Sequence, residues 1–300
     1  MFRTLLLSSL FVAISGVTAS AGSILSIIDA ADGSQLWSDN SGDSLFNQAG
    51  GATTVDIGDV LIGQFSINTI EYLDGIGTTE GVGLTSGNNE FTGSFAIQVA
   101  AKGGGPGAYT FGFAPTDAAS RLAISAALPG FGAELSTWDS RSMAAFYDGG
   151  ALINYTREGG TLDSSIATAT DGTKLFEAGF LSQLGEGWAA FAFSDDIVSI
   201  GTGALGSIGG FFNVGVNVIP GTEVPTLKFN LVDTVFDGAA QANISGSGSL
   251  LAKGSVVTPY ESFNNVDFTV DVDVVPEPAS IAIFGAMGLG LIGFRRRRSA

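Results

Sequence analysis

Apolar and polar residues alternate most strictly in Val266-Asp267-Phe268-Thr269-Val270-Asp271-Val272-Asp273-Val274. At a period of two this run puts its apolar side chains on one face of a strand and Asp267, Asp271 and Asp273 on the other. Residues 212–218 and 227–231 follow the same rule, and further strands are expected over 60–72, 91–101, 151–157, 187–193 and 241–253. Between them lie clusters of glycine, asparagine and aspartate, which suit tight turns. A helix is expected over 117–128, opened by Asp117 behind Thr116 and stopped by Pro129-Gly130, and a second over about 174–184. Many short strands with glycine-rich turns predict a mainly β protein: an antiparallel β-sandwich or jelly-roll-like domain with one or two short helices. Residues 103–187 are the least regular stretch and are read as a possible insertion.

The two ends follow other patterns. Residues 1–21 combine Arg3, an apolar run over 5–14 and the small-residue close Ala19-Ser20-Ala21, which is the layout of a secretory signal peptide cleaved before Gly22. Such a leader implies the Sec export machinery as a partner. Near the other end, Val275-Pro276-Glu277-Pro278-Ala279-Ser280 leads into an uncharged stretch that reaches Phe294 and is followed by Arg295-Arg296-Arg297-Arg298. As a helix this stretch would reach about 24 Å, short of the ~30 Å hydrocarbon core, so it suits a transient membrane helix. The arginine cluster holds that end on the cytoplasmic side and leaves the body outside. Pro276 and Pro278 keep Glu277 in an extended segment, the form a protease cleft accepts.

The proline-glutamate-proline tripeptide, apolar stretch and basic tail, in that order, resemble the PEP-CTERM sorting signal of Gram-negative bacteria. The resemblance covers about 26 residues. It implies exosortase, a membrane-embedded transpeptidase-like protease, as a partner, with processing near the tripeptide and release or attachment at the cell surface, outer membrane or extracellular matrix. It also implies an association with exopolysaccharide and biofilm. The expected organisation is therefore a signal peptide at 1–21, an exported β-rich domain at 22–275 and a sorting signal at 276–300.

Composition narrows the chemistry of the body. The chain has no histidine and no cysteine, which removes imidazole and thiolate catalysis, disulfides and the usual zinc ligands. Its formal charge is −17, and within residues 22–275 there are 28 carboxylates against 7 basic side chains, a balance of −21. A body so short of cations is a poor partner for nucleic acid.

What remains are carboxylates and aromatics. Gly201-Thr202-Gly203-Ala204-Leu205-Gly206 matches the dinucleotide fingerprint literally after the strand-like 197–200, but it runs into a further β pattern where a helix is required, so a glycine turn is expected and no cofactor. A glycan-degrading enzyme needs two carboxylates about 5 to 10 Å apart; Glu134, Asp139, Asp148, Glu158, Glu177, Glu186, Asp195 and Asp196 are candidates that no spacing singles out. Asp29, Asp32, Asp39 and Asp43 place hard oxygen ligands close together near the start of the body and are weak calcium candidates. Trp138, Asp139 and Tyr147 form the most inviting sugar-contact cluster, because sugars stack on aromatic rings while carboxylates take their hydroxyls. The resulting expectation is a non-catalytic exported surface or matrix protein, with a carbohydrate-binding module and a carboxylate-dependent glycan-degrading enzyme as alternatives.

Overall fold

The computed structural model describes residues 24–25, 28, 33–38, 43–47, 54–73, 90–150, 154–155, 160–236, 241–257 and 259–274, with backbone alone at 43–47, 72, 150 and 274. The signal-peptide residues, including Ala19, Ala21 and Gly22, lie outside this set, as do Asp29, Asp32, Asp39, Glu158, the sorting tripeptide and Arg295 to Arg298. Among the described residues no helix is long and apolar enough to cross a membrane.

The described body is mainly β. Its strands are β1 (Gly33–Ser38), β2 (Asp43–Asn47), β3 (Val60–Ser66), β4 (Thr69–Tyr72), β5 (Glu90–Gly105), β6 (Ala108–Pro115), β7 (Ser142–Gly150), β8 (Thr173–Gly179), β9 (Gly187–Ala192), β10 (Ile208–Val218), β11 (Leu227–Phe229), β12 (Val232–Asp233), β13 (Gln241–Ala242), β14 (Ile244–Leu251) and β15 (Ser262–Val274). Four short helices accompany them: α1 (Ala118–Ala127), α2 (Pro129–Leu135), α3 (Leu162–Ala169) and α4 (Ile197–Gly201).

Thirteen of the strands belong to one antiparallel sheet whose pairings run round in a closed circuit. β5 pairs with β3 along one side, while its other side takes β7 at residues 90–95 and then β6 at 97–105. β6 pairs with β9 and β7 with β8, and both β9 and β8 reach β10. β14 joins β10 to β15, and β15 returns through β2 to β3 and through β1 to β4. The two packed layers expected of a sandwich are thus continuous with each other, in the manner of a small barrel that leaves few open edges.

The alternation of each strand decides what lies inside. On β15 the inward set is Val266, Phe268, Val270 and Val272, all buried, while Asp267 is exposed. Leu61 and Phe65 of β3, Phe95 and Ile97 of β5 and Phe212, Val214 and Val216 of β10 join them in one apolar core. A second, smaller core forms on the outer surface of β3, β5 and β7, where Ile124, Phe131, Leu135 and Ile166 of the helices cover Ile62, Ala96 and Tyr147.

Two local readings change. Residues 174–184 were expected to be helical, yet Thr173–Gly179 is strand β8: Leu175, Phe176, Glu177 and Ala178 are all buried between β7 and β10, and that sheet position overrides a weak helical preference. Residues 197–200 form helix α4, with the Asp196 carboxylate accepting the Val198 N–H at 3.0 Å. Pro129 does stop α1 as expected, and it also opens α2, where a missing amide hydrogen costs nothing.

Candidate functional site

Three regions concentrate polar or unfilled features. The first lies beneath α1 and α2 and contains the sequence's sugar-contact cluster. Trp138 and Tyr147 do come together: the indole N–H donates to the Tyr147 hydroxyl oxygen at 3.2 Å, and the Tyr147 O–H donates to Glu134 Oε1 at 2.7 Å. Both rings are buried, at 5% and 1% exposure, and Phe131 stands edge-on to the indole with centroids 5.9 Å apart. Stacking on a sugar needs an open ring face, and neither ring offers one here. Asp139 is turned to the surface and bound by Arg141 through 2.8 Å and 3.1 Å contacts. These hydrogen bonds hold its carboxyl at about 2, below the usual aspartate range.

Lys174 links the two glutamates of this region, at 2.7 Å from Glu177 and 3.7 Å from Glu134. Glu177 also accepts the Asp139 N–H at 2.8 Å and the Ser142 hydroxyl at 2.6 Å, and Arg121 donates to the carbonyls of Asp139 and Ser142. The network pins the 136–142 connection to β7 and β8. Burial raises the Tyr147 pKa and so keeps the phenol protonated as a donor.

The other described carboxylates proposed for glycan cleavage are similarly engaged. Asp148 accepts the Ile24 N–H, Glu186 accepts from Leu181, Gln183 and Asn217, Asp195 pairs with Lys102, and Asp196 caps α4. Glu90, which the sequence did not single out, is 5% exposed and accepts the N–H groups of Asn154 and Tyr155 at 2.8 Å each. Burial outweighs these bonds and raises its pKa. Among the described residues no group of three or more acidic side chains is placed to hold a metal ion. Asp43 belongs to β2, described here by its backbone alone. The Gly201–Gly206 stretch leads into strand β10, with Gly206 at φ +77° making the turn.

The second region is a shallow outer groove on β10, β14 and β15, about 300 Å³ in volume. Phe211, 46% exposed, lies beside Asn213, Ser247, Ser249, Asn265 and Asp267. The register explains the grouping, because Asn213 is opposite Ser247 and Ser247 is opposite Asp267, so their outward side chains share a row.

The third region is the barrel interior, which holds a cavity of about 70 Å³ beneath α4. Its lining is apolar except for Ser194 and Asn264. Lys102 ties the segments over this end together, reaching Asp56 at 2.7 Å and Asp195 at 2.8 Å.

No curated protein and no solved structure matches the chain. β15 ends at Val274, and there a recognised signal begins. Residues 274–299 match the model of the PEP-CTERM protein-sorting motif, so the chain carries a PEP-CTERM sorting signal, which implies export and exosortase-mediated sorting to the surface or beyond.

Proposed function

We propose that this is an exported, non-catalytic protein of the cell surface or extracellular matrix, delivered through the Sec machinery and processed by exosortase near Pro276-Glu277-Pro278. Its sandwich-like barrel would serve in an exopolysaccharide or biofilm matrix, and residues 279–294 would form the transient membrane helix. The observation that carries this reading is the PEP-CTERM match at residues 274–299, which starts on the last residue of β15. Only Val275 separates that strand from Pro276, so the body would stand close to the membrane until processing. Deleting residues 276–300 should abolish processing and surface delivery, read by intact mass and cell fractionation. An unchanged location and an unprocessed wild-type mass would overturn the proposal.

A second reading, carbohydrate binding, is favoured by the outer groove. An exposed phenylalanine beside amide, hydroxyl and carboxylate groups is a combination that sugar rings recognise. Phe211→Ala should lose most binding to purified exopolysaccharide while circular dichroism stays unchanged; equal binding by the variant would remove the groove from consideration.

A further inference from the structure

The barrel interior differs along its length in a way that packing alone does not require. At the end of β15 nearer α4, two inward positions carry polar residues, Ser262 and Asn264, where the alternation beyond continues with Val266, Phe268 and Val270. Asn264 is 4% exposed and lines the cavity, where only Ser194 is polar besides it. Ser262 is fully buried, and its hydroxyl has no hydrogen-bond partner among the described residues. A buried polar group without a partner is costly, so a strand face that holds Ser262 unsatisfied and sets Asn264 against unfilled apolar space is one that an added hydrogen-bonding group would complete.

We propose that this cavity is a binding site for a small uncharged amphiphile: a short alkyl segment ending in a hydroxyl or carbonyl that pairs with the Asn264 carboxamide. Size sets the alkyl part. The volume of about 70 Å³ is near half the roughly 150 Å³ of an engineered apolar cavity that admits benzene or xenon, so about three or four carbons fit. Charge sets the rest. No charged side chain lines the cavity, and a carboxylate or ammonium would enter without a counter-charge at prohibitive cost. Asn264 offers both a donor and an acceptor, so it serves an alcohol or a carbonyl equally. Small closed barrels are known to hold a single small ligand inside.

The cap supplies the entry. Ile197 and Ile200 of α4, together with Val55, close the cavity over Phe212 and Val266. The cap is fastened by Lys102 to Asp56 and Asp195, and by the Val55 N–H to the Asp195 carbonyl at 2.7 Å. Ile57, Phe193 and Val198 flank it in sequence and are exposed at 64%, 48% and 36%, an apolar approach for an apolar guest. Opening this end would release the Lys102 ion pairs, the Val55–Asp195 bond with the Thr54–Asp196 bridge, and a five-residue helix, none of which belongs to the paired strands of the main sheet.

The proposal is tested on the full chain with xenon, 1-butanol and butyrate as probes. Xenon should shift the methyl resonances of Val214, Val216 and Ile197, 1-butanol should displace it, and butyrate should not. Asn264→Leu should keep xenon uptake and weaken 1-butanol about tenfold, the loss of one hydrogen bond in an apolar site. If that variant does not fold, intermolecular NOEs between 1-butanol and the Val214 and Val216 methyls of the wild type decide the matter. Absence of xenon shifts, a cavity holding ordered water alone, or 1-butanol affinity unchanged in Asn264→Leu would each overturn it.

Discussion

The two ends of the barrel interior are built to different standards. Around Trp37, at 0% exposure, stand Phe91, Phe146, Phe176 and Phe229, with centroids 5.0 to 6.5 Å away, and Phe146, whose other side borders the cavity, stacks on Phe176 at 4.4 Å. Even the indole N–H is satisfied there, by Gln35 Oε1 at 2.8 Å. Beneath α4 the same sheet leaves about 70 Å³ unfilled, sets Asn264 against that space and leaves the Ser262 hydroxyl without a partner among the described residues. A closed circuit of strands does not impose tight packing along its whole length; side-chain volume does. The aromatic end is filled by interlocking rings, and the end beneath α4 is where the interior retains unfilled space.

The contrast is sharpest under truncation. Trp37→Ala should lower unfolding free energy by about 3–5 kcal/mol in a denaturant titration, since a large well-packed ring is removed with its hydrogen bond. A loss under about 1 kcal/mol would mean that the aromatic end is not the better-packed one.

Enlarging an alanine separates the ends more finely. Ala178→Val, at a fully buried position of β8, should cost about 1–3 kcal/mol by overpacking, whereas Ala190→Val fills the cavity and should stay within about 1 kcal/mol of wild type. Equal costs would erase the distinction.

The smallest effect is expected at the fastening of α4. Lys102→Met should change global stability by about 1 kcal/mol or less, while speeding hydrogen exchange of the α4 amides and leaving β15 untouched. The hydrogen bond from Lys102 depresses the Asp195 pKa, and burial only partly opposes it. Asp195 therefore adds stability above its unfolded value, about 3.9, which is lost as pH falls through the lower folded value. Burial alone would lower the Lys102 pKa, but its bonds to Asp195 and Asp56 outweigh this and raise it. Its contribution is complete below about 10.4 and fades as pH rises through the folded value. Protection of the α4 amides relative to their intrinsic exchange rates should thus fall at both extremes of pH, and protection independent of pH would show that the pair does not hold the cap.

The sequence was most legible where a strand has one wet face. The β15 run shows its period because Asp267, Asp271 and Asp273 alternate with buried valines, and the same holds for exposed Asn213 between buried Phe212 and Val214 of β10. Legibility fails where both faces are covered. β8 lies between the aromatic core and the Lys174–Glu177 network, so its polar and apolar positions are buried together and the run reads as a helix. α3 was also missed, although Thr161 and Ser164 form a capping box that could have marked its start. The start of β15 escaped too: Ser262 and Asn264 break the apolar pattern that defines the strand, and Asn264 lines the cavity. Trp138 read as a surface platform because nothing local reveals that α2 brings Phe131 against its ring. Closure depends on pairings such as β5 with β7 and β10 with β8, which join distant segments and leave no local mark.

β15 also sets how the body answers to load. It is held by β14 along 263–270, by β1 along 267–272 and by β11 along 272–274, and the sorting signal continues from its end. Hydrogen bonds of an antiparallel ladder lie across the strands, so tension drawn along β15 from residues beyond 274 strains these ladders together in shear, with no single pair peeled first. Flow acting on a tethered body would meet the mechanically strongest direction of the sheet.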